Sequence, residues 1–111
     1  MTLDPFGTRL TEAMRRTGKP LCMGIDPHAA MIPPLFGDAS VAGSPAALRA
    51  VGDFVMACLD AAKGKVPAIK PQAAFFEAQG PDGSKILAAL QREAIDAGLL
   101  VIIDAKRGDI G

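Results

Sequence analysis

Ionisable side chains stand where three apolar runs of the chain come to an end. Leu21-Cys22-Met23-Gly24-Ile25 gives way to Asp26, Val66-Pro67-Ala68-Ile69 gives way to Lys70, and Leu99-Leu100-Val101-Ile102-Ile103 gives way to Asp104-Ala105-Lys106-Arg107-Gly108-Asp109. Side chains along a strand alternate faces, so Asp104 and Lys106 project the same way, roughly 7 Å apart. If the strands are neighbours in a parallel sheet, Lys70 stands at similar height on the adjoining strand. Two cations and two carboxylates then face one cavity, with Asp109 on the loop above them. Charges also follow strands simply because loops are wet, so Asp26 alone carries little weight. The spacing Asp104-x-Lys106-x-x-Asp109 carries more, because alternating signs in a poorly hydrated mouth hold each other ionised.

The elements that must position these groups can be read from periodicity. Phe6, Leu10, Ala13 and Met14 recur at helical spacing, and Gly18 followed by Lys19-Pro20 ends a short leading helix. Residues 21–25 form an unbroken apolar run too short for a helix, as expected of a strand buried on both faces. Residues 28–43, with Pro33-Pro34, Gly37 and Gly43, form a long loop. Ser44-Pro45 supplies an N-cap and a first-turn proline for a second helix reaching about residue 63, with Leu48, Val51, Val55, Cys58 and Leu59 on its inner face. A second strand ends at Lys70. Pro81-Asp82-Gly83-Ser84 opens a third helix with Ile86, Leu87, Leu90 and Ala94 inward and Gly98 beyond its end. Residues 99–103 make the third strand.

This alternation predicts parallel βα units with right-handed crossovers, in a doubly wound sheet or a barrel, with catalytic groups at the C-terminal strand ends. Neither a Gly-x-Gly-x-x-Gly after the first strand nor a Walker-type Gly-x-x-x-x-Gly-Lys-[Ser/Thr] occurs, which removes the main support for a nucleotide-binding doubly wound fold.

Composition sets outer bounds. With 111 residues, twelve Lys plus Arg against twelve Asp plus Glu, and half its residues hydrophobic, the chain is one globular domain or less. Zero formal charge and no basic cluster longer than two residues leave no footprint for nucleic acid or an anionic membrane. Cys22 and Cys58 lie in apolar segments with no neighbouring His or Cys, which reads as buried thiols rather than metal ligands or a disulfide. No signal peptide or membrane-spanning run is apparent, so a cytoplasmic location is expected. His28 reads as a loop residue, Phe75-Phe76 as core packing, and Glu77 as structural or solvent-facing.

Asp104-Ala105-Lys106-Arg107-Gly108-Asp109-Ile110-Gly111 resembles the signature of orotidine 5'-phosphate decarboxylases. Leu21-Cys22-Met23-Gly24-Ile25-Asp26-Pro27-His28 and Ile69-Lys70-Pro71-Gln72-Ala73-Ala74-Phe75-Phe76-Glu77 resemble the first two strands of one bacterial subgroup. The resemblance implies the N-terminal portion of a (β/α)8 TIM barrel, with residues 1–111 part of a single domain. It also implies conversion of orotidine 5'-phosphate to uridine 5'-phosphate and carbon dioxide with no metal or organic cofactor. By the same resemblance Asp104 lies beside the substrate carboxylate, and Lys106 stabilises the carbanion at C6 of the pyrimidine and supplies its proton. Lys70 holds Asp104 and Lys106 and reaches the ribose, Asp26 accepts from ribose hydroxyls, and Asp109 crosses a homodimer interface into the partner's site. A barrel needs about 250 residues, so the 111 residues alone are expected to be inactive, to expose apolar surface, and to aggregate, oligomerise or fold loosely. The competing readings are a magnesium-dependent sugar-phosphate decarboxylase or aldolase of the same superfamily, which resembles this chain in carrying Asp-x-Lys-x-x-Asp, and a non-catalytic half-barrel.

Overall fold

The computed structural model describes residues 3–107, so Asp109 lies outside the described residues. Helix α1 (Phe6–Thr17) ends where Gly18 takes the left-handed conformation, φ 70°, and donates its N–H to Met14 O. Strand β1 (Cys22–Ile25) follows, then a loop holding two single 3-10 turns, Ala29–Met31 and Pro34–Phe36. Helix α2 (Pro45–Ala62) starts as expected: the Ser44 hydroxyl accepts from Ala47 N at 3.1 Å, and Pro45 occupies the first turn. Its face of Ala47, Ala50, Val51, Val55, Leu59 and Ala62 is buried. Strand β2 (Ala68–Pro71), a short helix α3 (Ala73–Glu77), helix α4 (Pro81–Asp96) and strand β3 (Leu100–Val101) complete the described elements.

The sheet is parallel in the order β1-β2-β3, with Gly24 beside Lys70 and Ile69 beside Val101. Because residues in register point the same way, one face carries Met23, Ile25, Ile69 and Val101, and these join the main core with α2 and α4. The opposite face carries Cys22, Gly24, Ala68, Lys70 and Leu100. Its lower end is closed by α1, whose Ala13 and Leu10 pack on Ala68 and Leu100. Its upper end is open.

Three expectations need correction. β1 is not buried on both faces: Cys22 and Gly24 are exposed, since only the helix-facing side is covered. Cys22 is therefore an exposed thiol, whereas Cys58 is half-buried and burial pushes its thiol up. A helix, α3, occupies residues 73–77, where none was expected. The regular part of β3 is also shorter than the apolar run 99–103, although its pairing continues through Ile102 N to Ile69 O, 2.9 Å, and Asp104 N to Pro71 O, 3.0 Å.

α3 and α4 meet at a point where only glycine fits. A Cβ added at Gly83 would lie 2.0 Å from Phe76 O and 2.7 Å from Gln79 Cβ. The missing side chain lets the first turn of α4 sit directly on the end of α3. Phe76 and Leu90, both fully buried, fill the space beneath.

Candidate active site

The site is built on the C-terminal ends of β2 and β3. Backbone pairing carries the two strands side by side to their ends: Gln72 bridges Asp104, Asp104 N donates to Pro71 O, and Ala73 N donates back to Asp104 O at 3.0 Å. Asp104 is thus held by its own main chain on both sides. Lys106 Nζ donates to both Asp104 oxygens at 2.6 Å, and Lys70 Nζ stands 3.7 Å from Asp104 Oδ2. The two ammoniums therefore share one side of the sheet with a carboxylate between them. The hydrogen bond from Lys106 is the main cause holding the Asp104 carboxyl below its ordinary range; the charges of Lys106 and Lys70 add to it, and partial desolvation opposes it.

Asp26 lies on the same face. A Cβ built at Gly24 would come within 3.7 Å of Asp26 Oδ2, and Gly24 is the register partner of Lys70. The structure thus brings Asp26, Lys70, Asp104 and Lys106 to one end of one sheet face, while Asp109 lies outside the described residues.

The expected water-poor cleft is not what the described residues form. The side chains of Lys70 and Lys106 are 46% and 56% exposed, and that of Asp104 is 22% exposed. Three strands make a floor for the charges without walls. Two of the recesses among the described residues lie elsewhere: one of about 440 Å³ between α1 and the α4–β3 region, lined by Phe6, Arg9 and Ile95 among others, and one of about 770 Å³ within the loop after β1, lined by His28, Ile32 and Asp38 among others.

Helix α3 contributes contacts that sequence reasoning missed. Phe75 packs edge-on against His28, with ring centroids 5.5 Å apart. Glu77 forms an ion pair with Arg107. The Gln79 side chain, buried just past the helix, accepts from Gly43 N through Oε1 at 2.8 Å. These ties link the loops after β1 and β3 to the segment after β2. Their partners are 30 to 47 residues apart, so no local spacing could announce them; opposite charges following adjacent strands were the one signal available for Glu77 and Arg107.

Among the described residues no three His, Cys, Asp or Glu side chains converge to hold a metal ion. The charged cluster pairs one carboxylate with two ammoniums, a donor set suited to anions rather than cations. No helix among the described residues is long and apolar enough to cross a membrane.

A parallel βα sheet with its charged groups gathered at the C-terminal strand ends is the arrangement of βα enzymes, whether doubly wound or barrel. Residues 19–111 match the model of the Orotidine 5'-phosphate decarboxylase / HUMPS family, and the chain belongs to that family. It is 44% identical over 109 residues to the orotidine 5'-phosphate decarboxylase of Streptomyces coelicolor, covering 98% of this chain and 36% of the relative. It is 43% identical over 107 residues to that of Rhodopirellula baltica, covering 96% and 35%. Among solved structures, a protein from Streptomyces avermitilis assigned as orotidine 5'-phosphate decarboxylase superposes with a TM-score of 0.83 at 40% identity, over 100% of this chain and 36% of the other. One from Toxoplasma gondii assigned as orotidine-monophosphate decarboxylase gives 0.73 at 31% identity, over 94% and 32%. The fold is that of the N-terminal portion of a TIM barrel, and the chain spans about a third of the length of the relatives it matches.

Proposed function

We propose that these residues, as part of a complete barrel, decarboxylate orotidine 5'-phosphate to uridine 5'-phosphate and carbon dioxide. The observation that carries this reading is the Lys70–Asp104–Lys106 cluster, one carboxylate between two ammoniums on a single sheet face. In the reaction the bond from C6 of the pyrimidine to the carboxylate carbon breaks, carbon dioxide leaves, and the electron pair remains on C6. A fixed ammonium beside C6 stabilises that pair and then delivers the proton, the role assigned to Lys106. Asp104 sits where it disfavours the substrate carboxylate, a strain relieved as carbon dioxide departs. Lys70 keeps Asp104 and Lys106 in position and reaches the ribose, whose hydroxyls donate to Asp26. Gly24, beside both, leaves space for the sugar.

In the same reading Asp109 enters the partner's site in a homodimer, the enzyme works in the cytoplasm, and residues 1–111 are part of one barrel domain. The family description also takes in HUMPS, but the relatives at 37–44% identity are named orotidine 5'-phosphate decarboxylase, which favours the nucleotide substrate over a sugar phosphate. The test is a chimera in which the 111 residues are joined to the part of the Streptomyces coelicolor relative that follows its matched segment. The loss of orotidine absorbance on conversion to uridine 5'-phosphate, unaffected by a chelator, is the expected result. No turnover of orotidine 5'-phosphate by a folded chimera would sink the reading.

A further inference from the structure

Asp104 is locked by main-chain hydrogen bonds to Pro71 and Ala73, but the chain leaves the sheet immediately afterwards, and residues 105–107 pair with no strand among the described residues. Lys106 lies in that segment. Its ammonium can hold one place only if something beyond the Asp104 contact restrains the backbone that carries it.

Arg107 supplies a restraint. Its guanidinium forms an ion pair with Glu77, thirty residues away at the end of α3, and also donates to Lys106 O at 3.3 Å. Glu77 is itself well anchored. The preceding Phe76 is fully buried, and the following turn is clamped by Gln79, whose side chain takes the Gly43 N–H. The Glu77–Arg107 pair therefore connects the lysine-bearing segment after β3 to a rigid corner after β2, the strand that carries Lys70.

We propose that Glu77 is a positioning residue for Lys106, acting through Arg107 to hold the segment 105–107 over the strand ends. The proposal deepens the decarboxylase reading and rests on it for the reaction, though not for the geometry. An exposed ion pair contributes little to folding stability, so the readout of this role is the placement of Lys106 rather than the melting temperature. Misplacing a catalytic group by about 1 Å can slow the chemical step by on the order of 100-fold.

The test uses the chimera described above with Glu77→Gln and Glu77→Asp. Glu77→Gln is expected to lower kcat about tenfold with KM changed less than twofold, and to move the carbon-13 titration of the Asp104 carboxyl upward as Lys106 loosens. Glu77→Asp, which keeps the charge, is expected to retain most of both properties. An Asp104 titration unchanged by Glu77→Gln overturns the proposal whatever happens to kcat. So does a fall in kcat accompanied by a lowered melting temperature and a raised KM, which marks a general structural role. If the parent chimera does not turn over orotidine 5'-phosphate, the decarboxylase reading fails, and the Asp104 titration still decides the role of Glu77.

Discussion

Lys106 Nζ lies 2.6 Å from both carboxylate oxygens of Asp104, two residues back along the same segment. An extended strand would hold those side chains roughly 7 Å apart at their bases, so the lysine reaches back over the strand end. That contact brings a second cation to the carboxylate that Lys70 approaches from the neighbouring strand.

The first prediction concerns acid. The Asp104 carboxyl is held below its ordinary value of 3.8, mainly by the hydrogen bond from Lys106. A depressed carboxylate pKa contributes stability that is fully present above the unfolded value and is lost as pH falls through the folded one. Carbon-13 titration should therefore place the Asp104 midpoint below 3.8, and Lys106→Met should raise it. A Lys70→Met change should raise it less, because the longer 3.7 Å contact contributes less. Equal or reversed effects would contradict the geometry.

A second prediction tests the joint between α3 and α4. A methyl at position 83 would meet Phe76 O at 2.0 Å, backbone that cannot rotate away. Gly83→Ala, ordinarily favourable inside a helix, should here destabilise by about 1–3 kcal/mol, the usual range for overpacking. Urea unfolding of the chimera with and without the substitution gives the difference, and a stabilised variant would show that the helices part freely.

Thiol chemistry separates the two faces of the sheet. Cys22 is exposed on the face opposite the main core, whereas Cys58 is half-buried on α2 with its thiol pushed up by burial. Iodoacetamide at pH 8 should label Cys22 well before Cys58, because the thiolate is the attacking form. Mass spectrometry of the partly labelled chain reads the order directly, and faster reaction at Cys58 would mean that α2 does not pack as described.

What could be read from the amino-acid sequence was whatever local chemistry dictates. Ser44-Pro45 and Pro81-Asp82-Gly83-Ser84 announced the starts of α2 and α4, and Gly18 the end of α1, because caps, first-turn prolines and left-handed glycines act over one turn of chain. The polar breaks at Asp26, Lys70 and Asp104 were equally visible, although regular β3 stops at Val101, and Ile102 and Ile103 in its apolar run reach solvent. α3 was not, because a five-residue helix offers barely one turn of periodicity and its two phenylalanines suit any buried segment. The exposure of Cys22 and Gly24 was hidden for a different reason: an apolar run does not say whether both faces of its strand are covered. The Glu77–Arg107 and Gln79–Gly43 ties join residues 30 and 36 apart, and only the folded register of β1, β2 and β3 brings them together.

The last prediction follows from the open face. Lys70 and Lys106 are about half-exposed, and large apolar side chains including Ile102, Ile103 and Ile95 reach solvent near the β3 edge. In so wet a setting an ammonium is screened, and its stabilisation of a carbanion is a small part of its value in a low-dielectric pocket. The 111-residue chain by itself should therefore show no measurable turnover of orotidine 5'-phosphate. The chimera, whose added strands would cover that face, should be active and should lose at least about 100-fold in kcat on Lys106→Ala. Substrate groups far from the reacting carbon lend binding energy to the chemical step, so the gain on completing the barrel should appear in kcat as well as KM. Turnover by the 111 residues comparable to the chimera would mean that the open cluster suffices and that desolvation is not what gives Lys106 its strength.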